Sequence, residues 1–239
     1  MLAGNVVRSF LLAIVGSLFP VASFGTSHAP SLLELLSDSA PDLNPIVLRR
    51  AVTATQCAIR NGLAVPERLA VIDFSRPSSE ERLWIFDLAD GRLLLRDLVA
   101  HGKNSGLFDS TSFSNVEGSH QSSIGLFLGS ESYYGKHGYS LRLDGLEQGF
   151  NHRARERAIV IHGADYVSDA WVGQYGRVGR SHGCPAVDRQ VIQQVVDNLK
   201  GGQLVFKYYP DEQWMAESSL LNCSGNEVAE ATVEDGNSG

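Results

Sequence analysis

The chain has 239 residues, 43% hydrophobic and 20% charged, with 20 basic against 27 acidic side chains and a net charge of −7. The imbalance is local: from Pro210 onward Asp211, Glu212, Glu217, Glu227, Glu230, Glu234 and Asp235 stand without a lysine or arginine, so residues 1–209 balance at 20 against 20. A neutral body without a Lys/Arg stripe excludes the electrostatic footprint of a nucleic-acid binder.

The opening "MLAGNVVRSFLLAIVGSLFP" places Arg8 before an apolar run from Phe10 to about Val21, which ends near small residues in "PVASFGTSHA". This is the layout of a secretory signal peptide, assigned to residues 1–25 with cleavage between Ser23 and Ala29. A retained anchor is the alternative, but the run falls short of the roughly 20 residues a spanning helix needs. No second apolar stretch approaches that length, so the expectation is a periplasmic or secreted protein with no membrane insertion after cleavage.

Residues 26–43 read as a lead-in. "NPIVLRRAVTATQCAIRNG" then has Asn44 as N-cap, Pro45 at the first helical position, an apolar face through Val47, Leu48, Ala51, Ala54 and Ala58, and Gly62 after the end. These are the marks of an amphipathic helix. Short β-prone runs follow: "LAVIDF", "RLWIFDL", "RLLLRDLVAHG", "SIGLFLG", "YSLRLDG" and "RAIVIHG". Asp90-Gly91 between two of them predicts a type I′ hairpin. Residues 102–123, rich in Gly, Ser and Asn, predict a surface loop, and loops this long within a domain are often functional. Asp188 is expected to open a second helix, "DRQVIQQVVDNLKGG", before a closing strand "QLVFKYY". The order predicts a β-rich α+β fold with a mainly antiparallel, mixed sheet and flanking helices over residues 44–210. Residues 211–239, small, polar and acidic, predict a disordered tail.

Three cysteines in an exported chain leave one unpaired. A Cys57–Cys223 disulfide is one arrangement, and under either assignment of the pair Cys184 is the expected free thiol. It lies in "GRVGRSHGCPAV", residues 176–187. If residues 181–184 run extended, the side chains of His182 and Cys184 leave on one face. A helix starting at Asp188 would favour the thiolate of Cys184 through its N-terminal partial charge, and the N–H groups of Gly183 and Cys184 are candidate oxyanion donors. Such a thiol needs a base, either His182 beside it or His162 at the end of "RAIVIH". Spacing alone does not choose between the two, nor does it exclude a buried inert thiol.

"IHGADYVS" followed by "GRVGRSHGCPAV" resembles the catalytic motif of the bacterial L,D-transpeptidases, the YkuD-type domain, and "YYGKHGYSLRLDGLE" is similar to the murein L,D-transpeptidase branch. The resemblance covers about Asn44 to Pro210. It implies a sheet sandwich of the L,D-transpeptidase type, and a nucleophile at Cys184 with His162, His182 and Ser181 in the motif's other positions. It further implies a thioester formed from a peptidoglycan stem peptide with release of D-alanine, passed to an amine as a 3-3 cross-link or to water as L,D-carboxypeptidation. It favours His162 as the base and needs no cofactor or metal. Tyr133, Tyr134, Lys136, His137, Gly163 and Arg180 are further candidates for contacting substrate, the last through a stem-peptide carboxylate. Pro185 and Ala186 replace the hydrophobic residue and asparagine that many members carry after the cysteine. A monomer is expected. Two rivals stand: a zinc site using His162, His182 and Cys184, and a non-catalytic wall-binding module that has kept the fold.

Overall fold

The computed structural model describes residue 1 and residues 30–223; the signal-peptide expectation, apart from Met1, and residues 224–239 lie outside the described residues. Within the lead-in, residues Leu32–Ser39 form a helix, α1, started by a capping box in which Ser31 N–H donates to Glu34 Oε2 (2.6 Å) and Glu34 N–H donates to Ser31 Oγ (3.3 Å). Helix α2, Pro45–Arg60, begins as its sequence predicts. Asn44 Oδ1 accepts from Ile46 N–H at 2.9 Å, and the face from Val47 to Ala58 is buried.

Strands β1 (Arg68–Asp73), β2 (Leu83–Asp87), β3 (Leu93–Asp97), β4 (Gly125–Gly135), β5 (Gly138–Gly145), β6 (Val160–Gly163), β7 (Ala186–Val187) and β8 (Gln203–Tyr208) form one sheet in the order β3-β2-β1-β8-β4-β5-β6-β7. Five pairings are antiparallel; β1–β8 and β6–β7 are parallel. The two ends nearly meet, because Ala100, just beyond β3, bridges Ala186 of β7 with a 2.8 Å hydrogen bond. The result is a β-rich α+β, mixed-sheet architecture, nearly closed like a barrel. Helices α2 and α4 (Ile192–Leu199) pack on it; the short helices α3 (Asp169–Tyr175) and α5 (Glu212–Glu217) lie after β6 and β8.

Three expectations need correction. Strands β2 and β3 do form a hairpin, but only Gly91 has a positive φ (73°), so the turn is not type I′, which requires positive φ at Asp90 too. The second helix starts at Ile192. Asp188 instead closes a turn, accepting from Gln190 N–H through Oδ1 (2.8 Å) and from Val191 N–H through its carbonyl (3.2 Å). Finally, the tail does not begin at 211. Helix α5 buries Trp214, and Ser218, Leu220 and Leu221 are buried after it. This segment is anchored twice: Cys57 and Cys223 form a disulfide with Cα atoms 5.9 Å apart, and the buried Glu147 carboxylate accepts from Trp214 Nε1 (2.9 Å) and Ser218 Oγ (2.5 Å).

Candidate active site

Parallel pairing of β6 with β7 sets His162 opposite Ala186, which brings the strand-end histidine alongside the segment carrying Cys184. That segment is a tight bend held from within. Ser181 Oγ accepts from Gly183 N–H (3.0 Å) and donates to the Cys184 carbonyl (2.5 Å), while Ser122 Oγ donates to the Gly183 carbonyl (3.2 Å). Gly183 has φ of 118°, and a Cβ there would meet the Gln121 carbonyl at 2.7 Å, so only glycine fits. The bend corrects the extended reading of residues 181–184. His182 is exposed, its ring edge-on to His120 at 4.4 Å, whereas Cys184 turns inward to the core. Gly183 N–H is occupied by Ser181, which leaves Cys184 N–H as the segment's candidate oxyanion donor.

Cys184 is the one free cysteine among the described residues. Its Sγ accepts from Val160 N–H (3.5 Å) and its thiol donates to the Ala158 carbonyl (3.7 Å). Burial pushes the thiol pKa up, opposed by the Val160 N–H and by the charges of Lys207, Arg157 and Lys136. The expected help from a helix N-terminus is absent, since α4 starts eight residues downstream.

His162 is 4% exposed, and its Nδ1 lies 3.1 Å from the Gly163 carbonyl. A carbonyl only accepts, so Nδ1 carries the proton and Nε2 is left as a base. Burial, then His137, Arg189 and Lys136, lower its pKa against the opposing Gly163 bond, which keeps the ring neutral near neutral pH. The His137 ring stacks on it at 4.4 Å.

Cys184, His162, His182, Ser181, Arg180, Tyr133, Lys136 and His137 line one cavity of about 460 Å³. Three expected contacts behave otherwise. Tyr134 is 82% exposed and stacks on Tyr139 at 4.9 Å, outside the cavity. Gly163 acts through its carbonyl on His162, and Arg180 spends Nη1 on the carbonyls of Lys103 (2.9 Å) and Gly106 (3.0 Å).

Sequence reasoning missed Arg157, Ala158, Val160 and Tyr166, which complete the wall. Arg157 donates to the carbonyls of Ser114 (2.5 Å) and Gln121 (2.6 Å) and to Ser119 Oγ (3.2 Å), tying the 102–123 loop over the site. Burial pushes the Tyr166 pKa up to about 12. The two non-glycine residues with positive φ among the described residues are Ala158 (51°) and His120 (54°), one touching the thiol and the other the His182 ring. Backbone strain of this kind gathers at functional sites. Among the described residues no group of three or more His, Cys, Asp or Glu side chains is arranged to hold a metal ion.

A mixed, nearly closed sheet that sets a Ser-His-Gly-Cys bend beside a strand-end histidine has the architecture of an L,D-transpeptidase-type domain. Residues 39–208 match the sequence profile of the YkuD-type L,D-transpeptidase catalytic domain, and the chain belongs to that family. No curated protein sequence matches the chain. Among solved structures, similar ones include an L,D-transpeptidase from Mycobacterium smegmatis (15% identity, 60% of this chain and 59% of that one, TM-score 0.38) and L,D-transpeptidase 3 from Mycobacterium tuberculosis (12%, 60% and 62%, 0.39). An L,D-transpeptidase from Stackebrandtia nassauensis aligns over 73% of this chain and 74% of that one at 13% identity and TM-score 0.34. The chain thus spans about three-fifths of the length of the first two.

Proposed function

We propose that the protein is an exported cysteine acyltransferase acting on peptidoglycan stem peptides. In this reading His162 Nε2 takes the proton of Cys184, and Sγ bonds to the carbonyl carbon of the L-centre residue of a tetrapeptide stem. Cys184 N–H donates to the oxyanion. The C–N bond to D-alanine then breaks, the amine leaves with the proton held by His162, and a thioester remains. An amine of a neighbouring stem attacks the thioester, the C–S bond breaks, and the 3-3 cross-link forms as the thiolate recovers its proton; water in place of the amine gives L,D-carboxypeptidation. His182, exposed at the cavity rim, orients or contacts substrate, with Ser181 holding the bend.

One observation carries the reading: a free thiol and an imidazole whose Nδ1 faces the Gly163 carbonyl open on the same cavity, which supports the roles that the family's motif gives these positions. Export rests on the signal layout of the opening residues. The test is to treat disaccharide-tetrapeptide with the purified protein and score the products by liquid chromatography and mass spectrometry. New 3-3 dimers or trimmed tripeptides, absent with Cys184→Ser, are expected; unchanged substrate with the native protein contradicts the proposal.

A further inference from the structure

The three tryptophans differ in setting. Trp84 and Trp214 are wholly buried, whereas Trp171 on α3 is only half-buried and packs against neither of the two buried hydrophobic clusters of the described residues. Helix α3 itself is held at both ends: Trp171 N–H donates to the N-cap Ser168 Oγ (3.2 Å), and left-handed Gly176 stops it. Val172 turns to the smaller cluster, and Trp171 and Tyr175, one turn apart, stand beside it with ring centroids separated by 4.8 Å. Tyr175 is 46% exposed. Large rings left facing water in this way mark an interaction surface when they adjoin one another and a cleft.

The strip joins the Cys184 cavity from two directions. Tyr166 lines the cavity, and its ring meets Trp171 edge-on at 6.4 Å. Its carbonyl accepts from Gly179 N–H (2.6 Å), and Gly179 is the residue that lets the motif segment pass close by, since a Cβ there would meet Tyr166 Cβ at 2.5 Å. On the other side, Arg180 of the cavity wall donates to the Gly106 carbonyl (3.0 Å), and the next two residues, Leu107 and Phe108, are 47% and 48% exposed. Phe108 closes the strip onto the end of α3, where its Cε1 would lie 3.7 Å from a Cβ at Gly176.

We propose that this aromatic strip is a docking surface for the glycan strand of peptidoglycan, a chain of β-linked N-acetylhexosamines. The proposal rests on the reading of the cavity as a stem-peptide site and adds the polysaccharide to it. When a tetrapeptide presents the carbonyl of its third residue to Cys184, three residues separate the sulfur from the sugar, and fully extended they reach roughly 10 Å. The sugar therefore lies just outside the cavity, where Tyr166 gives way to Trp171 and Tyr175. Pyranose rings offer C–H faces that suit the negative face of an aromatic ring, and tyrosine and tryptophan supply such area at low cost in side-chain entropy. The charges beside the strip are mixed, exposed Asp165 and Asp169 against half-buried Arg177. They lack the lysine and arginine cluster that an anionic lipid surface attracts.

The test titrates the native protein with peptide-free glycan strands, released from sacculi by an amidase that removes the stem peptides. Because Trp84 and Trp214 are buried, a change in tryptophan fluorescence reports on Trp171. A saturable change is expected, and its absence overturns the proposal. A change produced by phosphatidylglycerol vesicles but not by strands, or by raising the protein concentration alone, also overturns it and gives the strip to a lipid surface or a second copy. By calorimetry, a Trp171→Ala/Tyr175→Ala double variant should bind the strands about tenfold more weakly, and equal affinity overturns the proposal. In the same variant the ratio of kcat/KM for disaccharide-tetrapeptide to that for free tetrapeptide should fall toward one. If strands bind but no stem peptide is ever turned over, the acyltransferase reading fails and the surface stands; if turnover is normal and strands do not bind, only the surface falls.

Discussion

Replacing both Cys57 and Cys223 with serine tests how the C-terminal segment is held. The disulfide joins residues 166 apart in sequence. In the chain-entropy treatment, closing a loop of that length removes roughly 5 kcal/mol of freedom from the unfolded chain, at the upper end of what disulfides contribute. The native contacts around it stay: Trp214 remains buried and Glu147 still accepts from Trp214 Nε1 and Ser218 Oγ. The loss should therefore appear as a lower urea midpoint for the whole domain rather than as selective fraying of α5. Urea denaturation followed by tryptophan fluorescence and far-UV circular dichroism measures it, with a loss of about 3–5 kcal/mol expected. No residue of α2 or α5 lines the Cys184 cavity, so alkylation of Cys184 in the folded variant should match the native rate. A loss below about 1 kcal/mol with coincident transitions would refute the reasoning, because the cross-link would then constrain little that the denatured chain explores.

Exchanging His162 for alanine should lower turnover by about 10²–10⁴-fold, the range of a general base, while His182→Ala should cost much less; steady-state rates in the reverse order would reassign the base. Because the His162 pKa is lowered from 6.5, the acid limb of kcat/KM should have its midpoint below pH 6.5, and a midpoint above it would contradict a buried neutral base. Gly183→Ala should destabilise the fold by about 1–3 kcal/mol and slow Cys184 alkylation, since its Cβ would press on the Gln121 carbonyl at a φ of 118°; thermal melting and alkylation rates check both. Lys207→Met should raise stability by about 1–3 kcal/mol, as removal of a buried amine without a hydrogen-bond partner does, and a lower melting temperature would contradict it.

Helix α2 was legible because Asn44-Pro45, the apolar spacing and Gly62 all point the same way. The strand runs and the motif residues around Cys184 were legible too, since β-prone segments and a Ser-His-Gly-Cys run are local signals. What failed depended on context. Asp188 has the same sequence signature as an N-cap or as the first residue of an Asx turn, and the turn won. Acidic composition hid the apolar Trp214, Leu220 and Leu221, which bury against the body. Arg157 and Ala158 read as the start of a strand, yet β6 begins at Val160 and the preceding pair turns into the cavity wall. "QLVFKYY", which holds Lys207, read only as a closing strand. Only the sheet order shows that β8 is interior and covered on both faces.

The most direct measurement is intact-protein and peptide mass spectrometry after exposure to a carbapenem or to a tetrapeptide donor. One covalent acyl group on Cys184, lost in Cys184→Ser and formed far more slowly in His162→Ala, is the expected result. A modification at any other residue, or stem-peptide turnover that survives Cys184→Ser undiminished, would contradict the assignment of that sulfur as the acyl carrier.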